Sequence, residues 1–140
     1  GVTEKTLRDH YQIRAVLEGY ACVLCVETGA DLSALQNCLK ASEEMLASGD
    51  SSRYSDMNQS FHYEIWNASG NEKLVTMLSE LWNGLSMGVQ TTEMEYAKKS
   101  FAEHKKIYEA IAAKDAETAR AQMEKHIRRS LEDMLTRYRE

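Results

Sequence analysis

The sequence has no proline and only seven glycines in 140 residues. Turn-rich β architectures depend on both residues, so their scarcity sets aside sandwiches and barrels and favours long helices. An excess of basic charge is also lacking. The formal net charge is −5 and the pI about 5.4, which withholds the electrostatic footprint of a nucleic-acid-binding surface. Arg128, Arg129, Arg137 and Arg139 do gather near the C-terminus, where the plain reading is cations favoured by the dipole at a helix end. No run of about 18 apolar residues is present and no signal peptide opens the sequence, which leads to the expectation of a cytoplasmic protein with no membrane partner. Cysteines are few and odd in number, three in all. Cys22-Val-Leu-Cys25 falls in an apolar helical run with no second CxxC to complete a zinc site, so buried thiols are expected rather than redox or metal chemistry.

Hydrophobic residues make up 43% and charged residues 28% of the chain, ordinary for one globular domain spanning residues 1–140. A chain of this length buries roughly 68% of its unfolded surface and needs no staple. Helical periodicity predicts a first helix over about residues 5–28, on Leu7, Ile13, Val16, Leu17, Tyr20, Ala21, Val23 and Leu24, closed by Gly29. Arg14 and Glu18 interrupt it. The sequence favours a surface ion pair at i,i+4 spacing, worth a few tenths of a kcal/mol; the other reading turns Arg14 into a pocket. A second helix over about residues 32–48 follows a cap at Asp31, and a third spans about residues 55–69, closed by Gly70 with Asn71 capping the next. The fourth, about residues 72–96, carries Gly84 and Gly88 one turn apart, which implies either close approach by another helix or room for a ligand. Ser100 and Glu103 have capping-box spacing and predict a short fifth helix over about residues 101–113, and Asp115 caps the last. The fold class expected is all-α, an antiparallel bundle of about six helices.

Chemistry concentrates on the third helix, where Asn58 and His62 stand one turn apart beside Phe61, Ile65 and Trp66. His104 precedes Ile107 and Tyr108 by one turn, and His126 keeps register with Met123, so three histidines face inward from three helices. Imidazoles suit Zn²⁺ or Ni²⁺, and three of them with one oxygen ligand leave positions open. A histidine on an apolar face is also an ordinary core residue once its nitrogens find partners. The separations along the chain match no local metal motif, and the residues by themselves leave both readings standing.

The stretches YQIRAVLE from Tyr11, NQSFHYEIWNASGN from Asn58, SFAEHKKI from Ser100 and MEKH from Met123 together resemble, in order and over nearly the whole chain, the FCD domain. This is the effector-binding C-terminal domain of GntR-family transcription regulators of the FadR subfamily, and six helices look like its shorter, VanR-type branch. The resemblance implies a bundle around a central cavity that holds a divalent metal, Zn²⁺ first and Ni²⁺ or Mn²⁺ as alternatives, through Asn58, His62, His104 and His126. It also implies a small carboxylate effector at the metal, a homodimer, and contact with DNA only through a winged helix-turn-helix domain that would precede this chain; the guanidinium fork of Arg14 suits it as the partner of such a carboxylate. The family more often has aspartate where Asn58 stands, and an amide oxygen ligates without bringing a negative charge. An enzyme is not expected, because Glu64 lies on another face from His62 and Glu103 is assigned to capping. The alternative is a metal-free sensing or dimerisation module.

Overall fold

The computed structural model describes residues 2–83 and 94–139, with side chains described to residue 136. The described residues form six helices and no strand: α1 Glu4–Thr28, α2 Ser33–Ala47, α3 Tyr54–Ala68, α4 Glu72–Asn83, α5 Met94–Ala112 and α6 Ala116–Arg139. The class is all-α, as expected. Most punctuation falls where local chemistry puts it. Gly29 takes the left-handed conformation (φ 61°) and closes α1, and Gly70 does the same after α3 (φ 73°), a geometry that costs a residue with a Cβ. Asn71 Oδ1 accepts from Leu74 N at 3.0 Å, and Asp115 Oδ1 from Thr118 N at 3.1 Å, the caps the sequence predicts. Asp31 accepts from Ser33 N at 2.9 Å, although Leu32 occupies the cap position itself.

Two expectations need correction. The fifth helix starts earlier than residue 101: Met94 to Tyr96, expected to close the fourth helix, lie on α5. Nothing in Tyr96-Ala-Lys-Lys breaks a helix, Ala97 is fully buried, and Ser100 is an interior residue with no turn to cap. The Ser100–Glu103 pair has the spacing of a capping box without being one. The second correction concerns α1. Its buried stripe runs Leu7, Tyr11, Arg14, Glu18, Cys22, Cys25, while Ile13, Val16 and Tyr20 are 57%, 61% and 49% exposed. The helix lies with its two charged residues inward. Gly84 and Gly88 lie outside the described residues, as do the side chains of Arg137 and Arg139.

α1 packs chiefly along α6 and also touches α3, α4 and α5. Gly19 permits the α1–α6 approach: a Cβ there would lie 3.1 Å from Arg120 Cγ and 3.2 Å from Glu124 Cγ. The core joins Leu7, Tyr11, Phe61, Ile65, Leu78, Ile107, Met123 and Ile127. The CxxC thiols are buried and free, burial pushes Cys25 up to about 12, and Cys25 Sγ donates to Ile65 O at 3.1 Å. They are core thiols, as expected.

Candidate metal centre

Helices α3, α5 and α6 each deliver one histidine to the same interior point. His62, His104 and His126 are 0%, 2% and 2% exposed, with ring centroids 5.3 Å apart for His62–His104 and His62–His126 and 4.8 Å for His104–His126. One ligating atom from each lies within 4.8 Å of the others. Two nitrogens on one zinc ion are at most about 4.2 Å apart, twice the Zn–N bond, so a small side-chain adjustment brings the cluster onto an ion. Two buried polar atoms of α3, His62 Nε2 and Asn58 Oδ1, have no hydrogen-bond partner among the described residues. Uncompensated polar atoms are costly in a core; a cation at the cluster would satisfy His62 Nε2, and Asn58 stands one turn before it on α3. The donor set fits a metal.

The other ring nitrogens are held from behind. His62 Nδ1 donates to Glu18 Oε1, which also accepts from Trp66 Nε1 at 2.9 Å, while Glu18 Oε2 accepts from Arg14 Nε at 2.6 Å. His126 Nδ1 donates to Glu103 Oε1 at 2.6 Å. Arg129 grips Glu103 with two bonds of 2.6 Å, from Nε to Oε2 and from Nη2 to Oε1, and reaches Asp133 through Nη1 at 2.5 Å. His62 and His126 are thus each backed by a carboxylate, and each carboxylate by an arginine. His104 is different. It stacks on Phe61 at 3.9 Å and 8°, with Tyr54 Oη 3.4 Å from Nδ1 and Ser100 Oγ 3.5 Å from Nε2.

Burial works against charge on both glutamates, but His62 and Arg14 outweigh it at Glu18 and hold that carboxyl well below the usual carboxylate range. His126 and Arg129 do the same, less strongly, at Glu103. Burial pushes His126 down to about 4 and, helped by the neighbouring imidazoles, pushes His104 well below its ordinary value. These two rings offer lone pairs at neutral pH, the state in which imidazole binds a metal.

Arg14 is not the surface partner the sequence favours. It is 5% exposed, and Glu18 is fully buried; the guanidinium lies 4.6 Å from the Trp82 ring and 5.3 Å from the Tyr11 ring. Trp82 stands 5.3 Å from His62, and its buried Nε1 has no partner among the described residues. Trp66 and Trp82 also line a cleft of about 340 Å³, with Gln59, Tyr63 and Asn83. A larger groove of about 640 Å³ between α2 and α5, lined by Leu39, Lys40, Phe101 and Lys105, shares no residue with the site. The sequence reading missed Glu18, Glu103, Tyr54 and Ser100 as site residues. Glu18 was discoverable from the Leu7–Tyr11–Cys22–Cys25 stripe it shares, whereas Glu103 was hidden by its capping-box spacing. Arg129, read as a helix-end cation, is part of the Glu103 network.

The FCD domain family model matches residues 9–129. Among curated proteins, the HTH-type transcriptional regulator LutR of Bacillus subtilis (strain 168) is 32% identical over 91% of this chain, which spans 61% of that protein's length. Among solved structures, E. coli McbR/YncC has TM-score 0.82 at 24% identity, over 98% of this chain and 68% of that one. The metal-free FCD domain of TM0439 has TM-score 0.78 at 20% identity, over 94% and 92%. At these identities the two structures speak for the fold. The family match, which takes in all three histidines and the two glutamates behind them, decides the relationship: this chain belongs to the FCD domain family.

Proposed function

We propose that this chain is the effector-sensing half of a GntR-type regulator of the FadR subfamily. In this reading it binds a divalent metal and a small organic acid, and so modulates DNA binding by a helix-turn-helix domain elsewhere in the full protein. One observation carries the reading: three buried histidines from three helices converge, two of them carboxylate-backed, with His62 Nε2 and Asn58 Oδ1 lacking a hydrogen-bond partner among the described residues. His62, His104 and His126 are the imidazole ligands and Asn58 the oxygen ligand. That set suits Zn²⁺ first and Ni²⁺ next, while Mn²⁺ prefers the carboxylates the set lacks. A bound ion supplies positive charge that a carboxylate can complete, and the buried Arg14 and the Trp82 N–H add donors of the kind that recognise one.

FCD domains belong to transcriptional regulators, and no enzymatic step is assigned. A regulator of DNA works in the cytoplasm, and no helix among the described residues is long and apolar enough to cross a membrane. Coupling to DNA requires that the ligand bind one arrangement of the regulator better than another. A homodimer gives two such arrangements, and exposed Ile13, Val16 and Tyr20 on α1 offer a face for a second copy.

Elemental analysis of the purified chain tests the metal reading. About one equivalent of zinc or nickel is expected, lost in the His62→Ala/His126→Ala variant. No metal after incubation with zinc would refute it and favour the metal-free sensor, in which His62 Nε2 and Asn58 Oδ1 meet the effector directly. The hydroxyls near both nitrogens of His104, and the metal-free state named for the TM0439 domain, are what speak for that second reading.

A further inference from the structure

The two Arg–Glu–His arrays invite a more specific assignment, one that rests on the metal reading but can be tested apart from it. We infer that Glu18 and Glu103 are paired positioning residues which fix the Nδ1-protonated tautomer of His62 and His126, so that both histidines present Nε2 to the shared centre.

An ionised carboxylate only accepts hydrogen bonds. A ring nitrogen bonded to one must therefore carry the proton, and the lone pair that ligates a metal belongs to the other nitrogen. Glu18 bonds His62 at Nδ1, and Glu103 bonds His126 at Nδ1. Neither glutamate is free to turn away. Arg14 and Trp66 hold Glu18, and Arg129 holds Glu103 at both oxygens. His62 Nε2, the atom this arrangement leaves for the metal, has no hydrogen-bond partner among the described residues. Near the His104 nitrogens, among the described residues, lie the Tyr54 and Ser100 hydroxyls, and a hydroxyl donates or accepts equally well. The centre accordingly has two ligands of fixed tautomer and one that can adapt. Arg14 gains a role here that needs no contact with effector: it acts on His62 through Glu18.

The test uses the 140-residue chain with Glu18→Gln and Glu103→Gln. Long-range proton–nitrogen NMR on metal-free protein reads the tautomer of each histidine, and competition with a chromophoric chelator reads zinc affinity. In the parent chain His62 and His126 should both carry their proton on Nδ1. Glu103→Gln should mix the tautomers of His126 and leave His62 unchanged, and Glu18→Gln should do the converse. Each variant should lose about 10- to 100-fold in zinc affinity, the usual effect of removing the group behind a metal-bound histidine. Glu103 is 24% exposed in its side chain, so Glu103→Gln tolerates the change and decides the matter even where Glu18→Gln fails to fold. Unchanged tautomers in Glu103→Gln would overturn the inference, as would zinc affinity equal to that of a parent chain that binds zinc. A parent chain that binds no zinc removes the metal reading alone, and the tautomers still decide this one.

Discussion

Replacing Arg14 by Met removes a cation from a place where water cannot take over its work. The pair is buried at both ends, with Arg14 at 5% and Glu18 at 0% exposure, and the 2.6 Å contact to Glu18 Oε2 goes with it. Breaking a buried pair from one side costs about 3–5 kcal/mol, because the remaining charge stays uncompensated. Loss of the stacking on Trp82 adds to this, while His62 and Trp66, still bonded to Glu18 Oε1, offset part of it. About 4 kcal/mol is expected. With a urea m-value of about 2 kcal/mol per molar, the unfolding midpoint of the metal-free chain should fall by about 2 M. Arg14→Met/Glu18→Gln, which removes the stranded charge, should recover part of the loss, giving an interaction term of about 2 kcal/mol in the cycle. A solvent-exposed i,i+4 pair would instead be worth about 0.3–0.5 kcal/mol. A midpoint shift of a few tenths molar with no coupling would therefore refute the buried geometry and restore the surface pair that the sequence favours.

The pH response of the metal-free chain follows from the histidines. The folded value of His126 lies at about 4 against an ordinary 6.5, and His104 is shifted the same way, so the unfolded chain binds more protons between these values. Stability is whole above about pH 6.5 and falls toward pH 4, by about 3 kcal/mol from His126 alone. Urea titrations across that interval check the sign. At Gly19, alanine gains helix propensity of about 1 kcal/mol but presses on the Arg120 and Glu124 side chains, and these can shift. Gly19→Ala should stay within about 1 kcal/mol of the parent, whereas Gly19→Leu should cost about 1–3 kcal/mol by forcing α1 from α6, both read by thermal melts. Val16→Glu places charge on a residue that is 61% exposed; if α1 carries the homodimer proposed above, sedimentation should show it converted to monomer, with stability changed by no more than about 0.5 kcal/mol.

Periodicity was enough to reach the histidines. Asn58 and His62 are one turn apart beside Phe61 and Trp66, and His104 and His126 keep register with apolar neighbours, so burial of all three rings follows from the pattern. Their convergence does not follow, because no local spacing relates α3, α5 and α6; the family resemblance supplied it. The charged supports were misjudged for a different reason. The face a helix buries is settled by its partners, and the apolar residues of α1 make two stripes, one through Ile13, Val16 and Tyr20 and one through Leu7, Tyr11 and Cys22. Only the docking of α6 and α3 selects the second, which carries Arg14 and Glu18 inward. For Glu103 the obstacle was local, a motif with capping-box spacing in the middle of a continuous helix.

The pairing of the first helix with the last bears on when this site can exist. Arg8 and Glu132, 124 positions apart, meet at 2.9 Å, and closing so long a loop comes late and slowly compared with local helix formation. A chain emerging from the ribosome exposes His62 and His104 well before His126, and Arg14 and Glu18 before anything covers them. Two imidazoles without the third would hold the proposed ion poorly, so the site would form only once α6 has docked. On the metal reading proposed above, the choice of ion falls to the finished fold, whose geometry, rather than the order of arrival, would decide which ion is kept.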